Sequence, residues 1–318
     1  MTSRPVVAPT WADLELAWTV VNATLPPTPL LDPEGAGPAL KLESLQPTGS
    51  FKVRGALAAL STLALDTPVV TASAGNHGLG IAWAARRLGH TATIVTAETA
   101  SPAKVAALRA LGVRLVQVGT SFDNAERHAL RLAEEGAHYV SAYNDPAVIA
   151  GQASIGFELA TQMPGPVTVV CGVGGGGLAS GLGLWAARQP GVRIVGVEAA
   201  GSRALSAAVA AGRQVTVDVG PTLADGMAGN IEPGSVTVDL VARHVDELVS
   251  VTEEQIRHGV RHLAFDRGIV AEGSGAVAVA AVLAGLVPSE APVVAVVSGR
   301  NITASALTAV LETTSVRP

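Results

Sequence analysis

The sequence has few of the groups that usually reveal a protein's chemistry. Among 318 residues there are one cysteine, three lysines, four Trp, two Tyr and four Phe, and charged side chains make up only 15%. A single cysteine, Cys171, excludes an internal disulfide and any zinc cluster built on several thiolates, and it fits a reducing compartment, so the cytoplasm is expected. With no Lys, Arg or His beside it to lower its pKa, Cys171 reads as a small buried strand residue rather than a reactive thiol. The net charge of −5 leaves no basic excess for nucleic acid or an anionic membrane. No basic segment followed by an apolar run opens the chain, so no secretory leader is expected. Mean hydropathy is positive, +0.40. Yet the longest uncharged stretch, 159–187, is broken by Met163-Pro164-Gly165-Pro166 and by Gly174–Gly177, which argues against a membrane span of about 20 apolar residues.

What is abundant is small and apolar. Ala occurs 56 times and Gly 35 times, and hydrophobic residues make up 48% of the chain, which excludes a disordered polypeptide. A chain of this length buries a large core and is expected to form two lobes. Val/Ile-rich runs bounded by turn residues recur at 68–71, 91–96, 113–118, 166–171, 192–197 and 292–297. Stretches of helical length and Ala/Leu/Arg composition lie at 78–88, 102–111, 121–135, 178–188, 253–267 and 275–286. Continuous apolar strands alternating with helices predict an α/β fold with parallel sheets covered on both faces. Ser101-Pro102 and Asp145-Pro146 supply a cap before Pro at the first helical position, and Gly89 and Gly112 stand where left-handed C-caps are wanted. Strand grouping predicts a three-strand lobe from Phe51 to about Tyr143 and a second lobe after it. No repeat, low-complexity linker or charge run marks the boundary.

Three glycine-containing loops follow predicted strands. Ser73-Ala74-Gly75-Asn76-His77-Gly78 opens a helix, where free backbone amides and the side chains of Ser73, Asn76 and His77 would receive a carboxylate or phosphate. Gly172-Val173-Gly174-Gly175-Gly176-Gly177-Leu178 also opens a helix, and four consecutive glycines are entropically costly unless the backbone must approach something closely. This loop satisfies G-x-G-x-x-G, with Glu198 following 21 residues after Gly177, so a nicotinamide or flavin dinucleotide and a phosphorylated cofactor of another kind both remain open on these residues alone. Ser298-Gly299-Arg300-Asn301 is the third. Ligands of open α/β sheets lie beyond strand C-termini, so the three loops could meet at one pocket. With only Lys41, Lys52 and Lys104 in the chain, the lysine in Ser50-Phe51-Lys52-Val53-Arg54-Gly55 stands out. An amine of lowered pKa in a dry pocket forms a Schiff base with an aldehyde cofactor, whereas a surface lysine at a helix start would be merely solvated.

SFKVRGA at 50–56, SAGNHG at 73–78, GGGGL at 174–178, ADG at 224–226, EGSGA at 272–276 and SGRN at 298–301 together resemble the serine/threonine dehydratase family of pyridoxal-phosphate enzymes. The motifs occur in family order over nearly the whole chain, which sets the dinucleotide reading aside. The resemblance implies a two-domain fold type II α/β enzyme, each domain an open, mostly parallel sheet flanked by helices. It places residues 1–49 and 144–318 in a large cofactor-binding domain and 50–143 in a small one. It also implies that pyridoxal 5'-phosphate is bound by Lys52 as catalytic Schiff-base lysine, with Phe51 beside the ring, Asn76 on the phenolic oxygen, Gly174, Gly175, Gly176, Gly177 and Leu178 on the phosphate, and Ser298 facing the ring nitrogen. Ser73, Ala74, Gly75, Asn76, His77 and Gly226 would bind substrate. The implied reaction is β-elimination, converting a β-hydroxy amino acid such as threonine or serine to a 2-oxo acid and ammonia, in a homodimer.

Departures from family patterns refine this. Serine racemases of this fold place a second acid/base Ser where this chain has Ala74, which disfavours racemisation. Their metal site pairs a Glu matching Glu198 with an Asp where this chain has Ala204, so no metal is expected. Arg300 replaces the commoner Gly; it is expected to face solvent or a neighbouring carboxylate, and the alternative, pairing with an acidic substrate side chain, would favour a 3-hydroxyaspartate. Apart from His77 the histidines read as surface or packing residues. The chain is expected to lack the C-terminal regulatory domain of biosynthetic threonine dehydratases. An inert cofactor-binding regulatory homologue is the alternative from a different functional class.

Overall fold

A computed structural model describes residues 6–33, 35 and 37–312; the first five residues, part of the segment on which the absence of a leader was argued, lie outside them. The strands are β1 (Leu30–Leu31), β2 (Ala39–Lys41), β3 (Val69–Ala72), β4 (Ala92–Thr96), β5 (Arg114–Gln117), β6 (His138–Tyr139), β7 (Val167–Gly172), β8 (Val192–Ala199), β9 (Glu247–Val251) and β10 (Val293–Val296). The helices are α1 (Trp11–Thr24), α2 (Lys52–Ser61), α3 (Asn76–Leu88), α4 (Pro102–Ala110), α5 (Phe122–Glu134), α6 (Pro146–Gln162), α7 (Gly177–Ala186), α8 (Ala204–Ala211), α9 (Val236–His244), α10 (Glu253–Phe265), α11 (Gly273–Leu283) and α12 (Ala304–Glu312). Two sheets form, in the orders β1-β2-β10-β7-β8-β9 and β5-β4-β3-β6. Every pairing is parallel except β1 with β2.

Burial on both faces explains the continuous apolar strands. In β7, Val167, Val169 and Cys171 pack with residues of α6 and α7, while Val170 packs with α11. Cys171 is fully buried, and burial pushes its thiol up to about 12, as an inert core thiol requires. In the smaller sheet Val69 and Ile94 face α2 and α3, and Val70 and Val95 face α5. The stretch 159–187 resolves into the end of α6, β7 and α7, and no helix among the described residues is long and apolar enough to cross a membrane.

The predicted caps form. Ser101 accepts from the Lys104 amide and Asp145 from the amides of Ala147 and Val148, while Gly89 and Gly112 take φ of +85° and +75°. The smaller sheet has four strands rather than three, because the two-residue β6 pairs with β3 and is too short to leave an apolar run. Helices α3, α7 and α11 begin one or two residues earlier than composition predicts, each reaching into its glycine-bearing loop. Close packing is the reason: a Cβ on Gly177 would meet Tyr143 and one on Gly273 the Leu223 carbonyl.

Small residues and a buried charge cluster fix α2, which carries Lys52. A Cβ on Gly151 of α6 would lie 2.6 Å from the Gly55 Cα of α2, so the two helices touch backbone to backbone. Beneath them Arg54 pairs with Glu43 and, at 2.7 Å, with Glu158, and Lys41 also pairs with Glu158. All four side chains are buried.

Candidate active site

The residue before α2 is anchored to the loop after β10. Phe51 donates its amide to the Ser298 carbonyl at 3.1 Å, and Ser50 bridges Gly299. This brings Lys52 beside the third glycine-containing loop. The Lys52 Nζ donates to the Ala142 carbonyl at 2.7 Å and lies 5.2 Å from the centre of the Phe51 ring. Burial is the cause that lowers its pKa to about 8. A fraction of the amine is therefore neutral near physiological pH, the form that acts as nucleophile or base.

Two sets of backbone amides lie open. Val173 still donates within the sheet, to Val197, and Ser180 makes the first bond of α7, to Gly176. The amides of Gly174 to Ala179 between them donate to no protein acceptor among the described residues. Gly176 adopts φ +85°, so a left-handed residue joins the loop to the helix N-terminus and six N–H groups are left for an anion. The tight surroundings explain the glycines: a Cβ on Gly175 would run into the Tyr143 ring and one on Gly174 into Met227. The second set is the first turn of α3, where the amides of Asn76, His77 and Gly78 donate to no acceptor among the described residues and helix bonding starts with Leu79 to Gly75. Ser73 Oγ accepts from the Gly75 amide at 3.2 Å.

Individual side chains take more specific positions than the sequence indicated. His77 is buried, and its Nε2 meets the Val140 carbonyl at 3.1 Å while Nδ1 has no partner among the described residues. Burial, aided by the Lys52 charge, lowers its pKa to about 3; the ring is neutral and donates to Val140, so what His77 can offer an anion is its backbone N–H. Asn76 donates from Nδ2 to Glu272 Oε1 at 2.6 Å and accepts at Oδ1 from Asn301, also at 2.6 Å. The Ser298 hydroxyl donates to the Ser274 carbonyl at 3.2 Å. The Gly226 amide donates to Ser274 Oγ at 3.1 Å, which ties the turn at Asp225–Met227 to the start of α11.

Glu198 accepts from the amides of Leu205 and Ser206, at the N-terminus of α8. Among the described residues no group of three His, Cys, Asp or Glu side chains could hold a metal. Arg300 lines a cavity of about 220 Å³ with Thr48, Leu79, Trp83 and Leu111, a lining that includes neither Lys52 nor the 73–77 loop. Sequence reasoning gave no role to Tyr143 or to Glu272, although EGSGA at 272–276 is among its motifs. Tyr143 packs its ring on Gly175 and accepts at its hydroxyl from the Glu232 amide at 2.8 Å; its one signal was that the chain has only two tyrosines.

A lysine of depressed pKa, an amide cradle for a phosphate and a second cradle for a carboxylate fit pyridoxal phosphate with an amino-acid substrate. Comparison with known proteins agrees. A family model described as pyridoxal-phosphate dependent enzyme matches residues 21–299. An L-threonine ammonia-lyase of Thermotoga maritima is 44% identical over 268 residues, 83% of this chain and 67% of the relative. Among solved structures, the processed threonine deaminase isoform 2 of Solanum lycopersicum superposes with a TM-score of 0.85 at 33% identity, covering 98% of this chain and 96% of that one. Maize serine racemase gives 0.88 at 28% identity, covering 95% and 97%.

Proposed function

The chain belongs to the family of pyridoxal-phosphate-dependent enzymes, and we propose that it is a carbon–nitrogen lyase that converts threonine or a similar β-hydroxy amino acid to a 2-oxo acid and ammonia, the water lost in β-elimination being taken up again on hydrolysis. The observation that carries this reading is the Lys52 amine, held at a pKa of about 8, in a chain that presents two unpaired amide cradles at helix N-termini. Relatives named threonine ammonia-lyase or threonine dehydratase, 36–44% identical over most of the chain, support the reaction class.

In this reading Lys52 would hold the cofactor aldehyde, the amides of Gly174–Ala179 its phosphate, and Phe51, Asn76 and Ser298 would hold its ring. When bound, the cofactor withdraws electrons from the substrate Cα. The chain's own residues supply the remaining functions. The amides of Asn76, His77 and Gly78 fix the substrate carboxylate, so the Cα proton has one orientation. The Lys52 amine, neutral in part at pH 7 to 8, takes that proton. The β-hydroxyl then leaves as water with the proton that Lys52 has taken, and hydrolysis of the released enamine yields ammonia and the 2-oxo acid.

Ala74 carries no group that could return a proton to Cα from the other face, which favours elimination over racemisation. We assign residues 50–143 to a small domain and the remainder to a large one, and take the protein to be a cytoplasmic homodimer. Borohydride reduction of the purified, cofactor-loaded protein followed by peptide mapping tests the lysine: the cofactor should be fixed on Lys52. Release of 2-oxo acid from threonine, serine or 3-hydroxyaspartate tests the reaction, and a loaded protein that releases none from the three would make it the inert homologue.

A further inference from the structure

Glu272 occupies the N-cap position of α11 yet makes no side-chain cap bond to that helix. An acidic side chain beside a helix N-terminus ordinarily gains from the free amides there. This one turns away and accepts from Asn76 Nδ2 at 2.6 Å. It is only 6% exposed, and burial, against the Asn76 hydrogen bond, raises its pKa to about 7. On the other side of Asn76, Asn301 Nδ2 donates both to Asn76 Oδ1 at 2.6 Å and to the Thr48 carbonyl at 2.8 Å.

Two glycines make room for this chain of bonds. A Cβ on Gly299 would overlap Glu272 Oε1, and one on Gly49 would overlap Asn301 Oδ1. Gly299 of the SGRN motif and Gly49, just before SFKVRGA, thus stand where a carboxylate and an amide must pass. The direction of every bond is determined. Asn301 is fixed by a carbonyl that can only accept, so it presents a donor to Asn76. Asn76 must then turn its oxygen to Asn301 and its nitrogen to Glu272. One N–H of the Asn76 amide is used on Glu272, and the other has no acceptor among the described residues.

We propose that Glu272 is a positioning residue for the cofactor: with Asn301 it locks the Asn76 amide in the one orientation that leaves a single side-chain N–H for the cofactor's ring oxygen. The inference rests on the reading of Asn76 as the partner of that oxygen. Without Glu272 the amide is held by Asn301 alone, so a flip that presents its own oxygen, replacing a hydrogen bond by a repulsion, is opposed by one bond instead of two.

The test uses the purified full chain, with and without pyridoxal phosphate. E272A and N76A should each weaken cofactor affinity about tenfold, the cost of one hydrogen bond to a polar group, and shift the visible absorption maximum in the same direction. The double variant E272A/N76A should be no weaker than either single one, because both remove the same interaction. E272Q, which keeps an acceptor, should stay within about threefold of the wild type. In the cofactor-free protein G299A should lower the thermal midpoint, and E272A/G299A should recover most of that loss. An E272A protein with wild-type affinity and spectrum, or additive effects of E272A and N76A, would overturn the proposal, as would a G299A defect that E272A does not relieve. A wild-type protein that takes up no cofactor would instead overturn the reading of Asn76, and the Gly299 pair would still decide the geometry.

Discussion

Arg54 holds Glu43 with two parallel bonds, Nε to Oε2 at 2.7 Å and Nη2 to Oε1 at 2.8 Å. Arg54 is two residues after Lys52, so this fork, together with the Nη1 contact to Glu158 at 2.7 Å, fixes the start of α2. Burial opposes the Arg54 charge, but Glu43 and Glu158 outweigh it and hold the guanidinium above its ordinary pKa. Removing one partner of such a cluster leaves a buried carboxylate uncompensated, at a cost of about 3–5 kcal/mol. R54A should therefore unfold at markedly lower urea concentration. R54K should also lose stability, because an ammonium cannot reproduce the fork. Wild-type urea midpoints in both variants would remove the cluster from the account.

Lys52 makes a prediction about pH that is independent of turnover. Its folded pKa of about 8 lies below the ordinary 10.5, so between these values the unfolded chain binds a proton that the folded, cofactor-free protein has released. Stability then rises with pH across that window, and the penalty is full below about 8. K52M should be more stable than the cofactor-free wild type at pH 7, by up to about 3 kcal/mol, and the difference should close as pH approaches 10.5. Urea melts at pH 7, 9 and 10.5 measure it; a difference that does not change with pH would contradict the depressed pKa. The same variant should lose turnover.

The parts of the site that could be read from the sequence are those whose chemistry is contiguous. Four glycines after a valine run, an Asn-His pair opening a helix and a rare lysine before Arg-Gly are each legible within a few residues. What escaped is chemistry assembled from distant positions. Asn76 and Glu272 lie 196 residues apart, and no local pattern marks a glutamate at a helix start as one that faces away from the helix. Elements were missed for related reasons. β6 has two residues. β9, ELVSV, is interrupted by Glu247 and Ser250 and lies at a sheet edge, so it lacks the continuous apolar run of the central strands.

Gly175 supports a test of the phosphate cradle. Its missing Cβ is the space occupied by the Tyr143 ring, so G175A should displace either the ring or the loop, costing about 1–3 kcal/mol of overpacking and weakening cofactor affinity. If Tyr143 is the obstacle, Y143A/G175A should regain stability relative to G175A. Y143F should have a smaller effect, because it keeps the ring and loses only the bond from the Glu232 amide at 2.8 Å. Equal thermal midpoints for wild type and G175A would show that the ring moves freely.

Arg300 decides between two substrate readings. If its guanidinium paired with an acidic substrate side chain, it would have to reach the space beside Lys52. Its cavity is instead bounded by Leu79 and Trp83 of α3 and by Ala107 and Ala110 of α4, with Thr48 and Gly49, and its own amide is held by the Gly49 carbonyl at 2.9 Å. Replacing it with the commoner residue, R300G, should therefore change the ratio of kcat/KM for threonine over 3-hydroxyaspartate by less than about threefold, well under the 1.36 kcal/mol that a tenfold change represents. Loss of a charge pair to the substrate would act selectively on the acidic amino acid and exceed tenfold. A uniform fall for both substrates would mean that the Gly49 contact, and through it the loop before Lys52, depends on the side chain. Only a selective fall would make this chain a 3-hydroxyaspartate enzyme.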